Sequence, residues 1–216
     1  MPNIFPKWTN WLPFKIAFIL LLLGFLVVNG VTYYFTPKYT RVGYMPGQPV
    51  SFSHALHAEQ LGMDCRYCHT GVEKSSHSNI PTVQTCMACH QHVQQQSAKL
   101  APIRAAWQSG EPVNWVRIHQ APDYVYFNHA AHVNRGISCQ SCHGQVNHMA
   151  VVWHHEPQSM GWCLECHRRP ENFIRDVSEV YNLNYAISPE EQRILGKKLV
   201  EEWGVNPPQN CAGCHR

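Results

Sequence analysis

Residues 52–69 read FSHALHAEQLGMDCRYCH, and residues 127–143 read FNHAAHVNRGISCQSCH. Each stretch sets a Phe-x-His-x-x-His sextet ahead of a Cys-x-x-Cys-His pentad. His54 and His57, like His129 and His132, are spaced i, i+3, so one helical turn presents both imidazoles on the same side. A second pentad follows each stretch, at Cys86-Met87-Ala88-Cys89-His90 and at Cys163-Leu164-Glu165-Cys166-His167. The landmarks recur at a nearly constant offset, from Phe52 to Phe127, from Cys65 to Cys139 and from Cys86 to Cys163, which makes two copies of one module. A fifth pentad, Cys211-Ala212-Gly213-Cys214-His215, follows near the C-terminal end.

All ten cysteines of the 216 residues fall in these five pentads. Cys-x-x-Cys-His is the attachment signature of c-type haem. Two thiols add across the two vinyl groups of one porphyrin, and the adjacent His then lies under the ring and binds its iron. That chemistry uses Cys65, Cys68, Cys86, Cys89, Cys139, Cys142, Cys163, Cys166, Cys211 and Cys214 as tethers. It uses His69, His90, His143, His167 and His215 as proximal ligands. Zinc ribbons do not require a His after every pair, a thioredoxin-like site needs one pair, and a disulfide scaffold has no reason to repeat this spacing. The expected cofactor is therefore five covalently bound haem c.

Composition agrees. Charged residues are 14% of the chain, against roughly 25% in soluble domains. A formal charge of +3, with no Lys/Arg cluster, argues against nucleic acid. At 44% hydrophobic and 11% aromatic the chain is not disordered. Five haems would add roughly −5 and leave about −2, so the apo charge is a poor guide to partners.

Ile16 to Phe35 reads IAFILLLLGFLVVNGVTYYF, without a single charged side chain. That length matches a hydrocarbon core of about 30 Å. Trp8 and Trp11 precede it, and Tyr33, Tyr34 and Tyr39 stand at or beyond its far end, like interfacial belts. A cleaved signal peptide is the alternative, but the apolar run is long and no clear cleavage site follows. Lys7 and Lys15 before the segment are balanced by Lys38 and Arg41 after it. Orientation therefore rests on haem attachment, which puts the remainder outside the bacterial cytoplasmic membrane, on the periplasmic side. The expected fold is a multihaem cytochrome c of short helices and irregular coil wrapped around five haems, with little sheet and one N-terminal transmembrane helix. Residues 1–40 would be the anchor (helix about 14–35), 41–100 a first dihaem module, 101–122 a linker broken by Pro102, Gly110, Pro112 and Pro122, and 123–216 a second module with three haems. Ser188-Pro189-Glu190-Glu191 reads as a capped helix start, followed by an apolar stripe of Ile194, Leu195, Leu199, Val200 and Trp203. That stripe is expected to cover the fifth haem or a partner subunit.

The Phe-x-His-x-x-His pairs resemble those of class III multihaem cytochromes. The resemblance implies that His54 binds the haem on Cys65/Cys68 and His57 the haem on Cys86/Cys89. It likewise implies that His129 binds the haem on Cys139/Cys142 and His132 that on Cys163/Cys166. One distal position then remains, with His77, His92, His119, His148, His154, His155, Met149 and Met160 as candidates. His119 is preferred and Met149 follows. Met/His ligation would raise the potential relative to bis-His.

The runs LGMDCRYCHTGVEKS (61–75), WVRIHQAPDYVYFNHAAH (115–132) and MGWCLECHRRPE (160–171) resemble the pentahaem cytochrome c subunit of alternative complex III, a bacterial quinol:electron-acceptor oxidoreductase. The resemblance implies a membrane-anchored electron relay toward a periplasmic cytochrome or terminal oxidase. Its partners would be an iron–sulfur/molybdopterin-like subunit, quinol-oxidising integral membrane subunits and a monohaem cytochrome c. Irons saturated by two protein ligands bind no substrate, so the subunit would perform no bond chemistry. Two alternatives stay open, a free-standing anchored quinol dehydrogenase and a catalytic multihaem reductase, although no pentad has the Cys-x-x-Cys-Lys form of nitrite reductases.

Overall fold

The computed structural model describes residues 5–35 and 41–215. Lys38 and Tyr39 lie outside the described residues. The chain divides into two compact units, Met1–Arg41 and Val42–Arg216.

The first unit is a short 3-10 turn, Lys7–Trp11, running into helix α1, Leu12–Phe35. Its 24 residues extend roughly 36 Å at 1.5 Å per residue. The helix is apolar on every face, and its large side chains are exposed, Leu21 at 75% and Phe14 at 68%. Such a helix needs an apolar medium or partner rather than water. It is the one helix among the described residues long and apolar enough to cross a membrane.

The second unit is built from short helices and coil. Helices α2 (Cys65–Cys68), α3 (Val83–His90), α4 (Ala101–Ser109), α5 (His129–Val133), α6 (Gln140–His143), α7 (Met160–Arg168), α8 (Pro189–Glu202) and α9 (Cys211–Cys214) follow in order. A π-helical turn, Ala55–Gln60, precedes α2. Among the described residues no strand forms, and pairing is confined to the isolated bridges Val125 with His215 and Ile137 with Ile174.

Its apolar core is thin. Val50, Met87 and Ile103 form one buried cluster, and Val72, Val133 and Val180 form another. The second cluster joins the modules. Beside it Asn134 Nδ2 donates to the Glu73 carbonyl at 2.9 Å, and the Tyr181 hydroxyl donates to the Glu73 carboxylate at 3.0 Å. Two small clusters are little burial for a unit running from Val42 to Arg216, as expected where flat prosthetic groups supply much of the interior.

Two local features add detail to the sequence reading. The stretch expected as a linker begins with helix α4. Pro102 sits in its first turn, where proline's missing N–H costs nothing, and Gly110 ends it in the left-handed conformation at φ 75°. Burial of Ile103 against Val50 and Met87 then holds the helix. Helix α8 does carry the Ser188/Glu191 capping box. Its inward contact, however, is made by Gly196 and Leu199 on the turn Pro170–Asn172, while Ile194 is 65% exposed. A Cβ at Gly196 would collide with the Glu171 carbonyl oxygen, so the close approach needs glycine.

Candidate haem sites

Each pentad lies on a helical turn. The i, i+3 spacing puts both thiols on one side of that turn, and the His follows at i+4 above the first Cys. The turn closes through His69 N to Cys65 O at 2.9 Å, His143 N to Cys139 O at 2.9 Å and His215 N to Cys211 O at 2.8 Å. Side chains cap three of these helices: Asp64 accepts from Arg66 N, Ser159 from Trp162 N and Asn210 from Gly213 N. All ten thiols are free.

The structure brings each Phe-x-His-x-x-His pair against pentad histidines of its own module. The His54 ring faces His69 with centroids 6.4 Å apart and planes 4° from parallel. The His129 ring faces His143 at 6.4 Å and 5°. His57 lies 6.2 Å from His90, and His132 lies 6.2 Å from His167. These gaps admit one metal ion. With a metal–nitrogen bond of about 2.0 Å and about 1.1 Å from each nitrogen to its ring centre, two coaxial imidazoles on one metal stand about 6.2 Å apart. Imidazoles in van der Waals contact would be nearer, as Phe52 is to His57 at 4.5 Å. The residues present therefore fit bis-His binding of an iron at four places.

One aromatic residue positions each pair. Phe52 meets His54 edge-on at 4.9 Å and stacks on His57 at 4.5 Å. Phe127 repeats this, edge-on to His129 at 4.7 Å and stacked on His132 at 4.6 Å. Such contacts contribute about 0.5–1.5 kcal/mol each and fix ring orientation.

Backbone carbonyls set the tautomers. His57 Nδ1 donates to Ser53 O at 2.9 Å, His132 Nδ1 to Asn128 O at 2.7 Å and His129 Nδ1 to Ser76 O at 2.8 Å. Among the pentad histidines, His69 Nδ1 donates to Asn79 O at 2.7 Å, His90 Nδ1 to Val93 O at 3.1 Å and His167 Nδ1 to Pro208 O at 2.7 Å. A carbonyl can only accept, so the proton resides on Nδ1 and a neutral Nε2 keeps its lone pair for a metal. His54 differs, because its Nδ1 is buried without a partner. Burial, then the neighbouring His69 and His57, lowers His54 to about 4. Burial, then His119, His129 and further imidazoles, lowers His143 to about 3. Burial also lowers His129 and His132. All are neutral at physiological pH, as metal binding requires.

The fifth pentad differs. The ring facing His215 is that of Tyr124, at 5.5 Å and 35°. His119 stands elsewhere. Its ring meets His143 at right angles at 4.4 Å and stacks on His154 at 5.0 Å. At 4.4 Å no metal fits between His119 and His143, and among the described residues no ring contact joins His119 to His215. The contact with buried His154 sets His119 beside the third pentad. Met149 is buried near the first pair, with its carbonyl accepting from Ala55 N at 3.1 Å.

The remaining candidates are dispersed. His154 is 3% exposed with both ring nitrogens unpartnered. His148 Nε2 lies 3.4 Å from Glu59, and His155 Nδ1 lies 2.9 Å from Glu156. His155 packs over Gly144, where a Cβ would run into its ring. His77 and His92 are exposed, and Met160 is 68% exposed. Among the described residues no three His, Cys, Asp or Glu converge on a bare-metal site. The carbonyls of Ser76, Asn79, Val93 and Pro208, and the Tyr124 ring, carry no sequence signal.

Comparison with known proteins follows the modules. The family model described as cytochrome c7 and related cytochrome c matches residues 50–104 and 125–216. A menaquinone reductase multiheme cytochrome c subunit of Nitratidesulfovibrio vulgaris (strain Hildenborough) is 37% identical over 97 residues, which cover 44% of this chain and 45% of that protein. The match thus spans less than half the length of the curated relative.

Proposed function

The chain belongs to the family of cytochrome c7 and related cytochrome c, and on that premise we propose that it is a membrane-anchored pentahaem electron-transfer subunit of a quinol-oxidising respiratory complex. The observation that carries this reading is the set of four imidazole pairs with ring centres 6.2 or 6.4 Å apart, each pairing a sextet histidine with a pentad histidine. We assign His54 and His69, His57 and His90, His129 and His143, and His132 and His167 as axial pairs, with His215 as proximal ligand of the fifth site. A bound haem supplies reversible one-electron chemistry at its iron. Two thiols of each pentad would tether the group, and the paired imidazoles, held by the Phe52 and Phe127 contacts and by backbone carbonyls, would bind its iron at four sites. Occupied axial positions leave no room for substrate, which favours relay over catalysis at those four sites.

The printed name of the relative links a multihaem cytochrome of this kind to menaquinone. Together with the three runs resembling alternative complex III, it supports assignment to such a complex, on the periplasmic side of the inner membrane and anchored by α1. The partners would be an iron–sulfur/molybdopterin-like subunit, quinol-oxidising membrane subunits and a monohaem cytochrome c. Purification in mild detergent from the membranes of the producing organism tests this. Five haems per chain, mostly low-spin, with co-purifying membrane subunits is the expected result. Mostly high-spin haem would overturn the relay reading, and a lone cytochrome that oxidises menaquinol would replace the complex with a free-standing quinol dehydrogenase.

A further inference from the structure

The first and second sites share the turn that carries His54 and His57, held by Phe52 on both rings. The third and fourth share the turn that carries His129 and His132, held in the same way by Phe127. The modules meet through their first sites. His129 Nδ1 and His129 N both donate to Ser76 O, and Ala130 N donates to Ser75 O. Slightly further along, Asn79 O accepts from His69 Nδ1 at 2.7 Å. One short loop, residues 75–79, thus holds a histidine of the first site and a histidine of the third. At the other end Pro208 O accepts from His167 Nδ1, and Gln209 Nε2 donates to His167 O, so the lead-in to the fifth pentad is fastened to the fourth site.

We infer that the five sites form one unbranched row in the order second, first, third, fourth, fifth, with the pentads at Cys86 and Cys211 as its two ends. Exposure follows the row. Cys89 and Cys211, at the ends, are the two exposed thiols, and the other eight are partly buried. Electrons therefore enter and leave at the second and fifth sites, and the third lies midway, where His143, His119 and His154 crowd together. The row joins two copies of a module head to head, so order in space reverses order in sequence within the first copy.

The inference rests on the proposed haem binding, and the test separates the two. Full-length chain with its haems, or its complex, is crystallised or imaged, and the five irons are located and assigned from their cysteine tethers. The expected map has the irons of the Cys65 and Cys139 pentads as the sole neighbours across the modules, and those of Cys86 and Cys211 farthest apart. An interior position for either end, or a second-to-fourth approach shorter than first-to-third, would overturn the order. Fewer than five irons would instead overturn the haem assignment beneath it. An independent readout uses His132→Met, which alters ligation at the fourth site. Site-resolved redox titration should show the third and fifth sites shifting and the second unmoved. A shift at the second as large as at the third would refute the row.

Discussion

Replacing His57 with Ala removes one imidazole of the pair that stands 6.2 Å from His90 and leaves the His90 Nδ1 bond to Val93 O in place. The neighbouring pair keeps its own ring, since His54 faces His69. The second site then has a proximal ligand and no distal one, and water or nothing takes the sixth position. The second-site haem, one of five, should therefore pass from low-spin to high-spin in the ferric protein. The fold should survive, because His57 is half-buried and Phe52 remains edge-on to His54 at 4.9 Å. Spin-quantified EPR of the oxidised protein, alongside a haem count, is the assay. The reasoning fails if all low-spin intensity persists with five haems bound. It fails also if the first-site signal changes instead, since that would exchange the roles of His54 and His57.

Other expected outcomes are these. Gly196→Ala forces a Cβ against the Glu171 carbonyl and should cost about 1–3 kcal/mol, read by thermal unfolding, whereas Ile194→Ala on the exposed side should change stability by less than about 0.5 kcal/mol. Phe127→Ala frees His129 and His132 together, so low-spin EPR features of the third and fourth sites should broaden while the first and second stay sharp. His119 is held near 4, against an ordinary 6.5, by burial and then by His154. The unfolded chain therefore takes up its proton first, and the stability present above pH 6.5 is lost as pH falls toward 4. Melting curves taken from neutral pH down toward 4 should show that loss, with a shallower slope in His119→Gln; an unchanged slope would remove His119 as a source.

The haem signature is legible because it is written in neighbouring residues. Thiols at i and i+3, the His at i+4 and the sextet pairs all fall within one or two turns, where helical geometry alone sets what faces what. The apolar α1 and the Ser188/Glu191 cap are local in the same sense. Helix α4 escapes a local reading because Pro102 suggests a breaker, although proline is favoured in a first turn. What holds that turn is Ile103 packing on Val50 and Met87, partners from distant parts of the sequence.

His119 shows where local reading stops. Its spacing suits several roles, and its place follows from contact with His143 and His154, both well downstream. The carbonyls that fix the tautomers are similar. Ser76 serves His129 and Pro208 serves His167 across long sequence separations, and a backbone oxygen leaves no mark on side-chain pattern. Which residues can hold a haem was thus encoded in short-range covalent and helical spacing. The order of the sites, the partner of each ring nitrogen and the position of His119 came from long-range packing, because the 75–79 loop and the Val72–Val133–Val180 cluster decide how two similarly patterned modules meet.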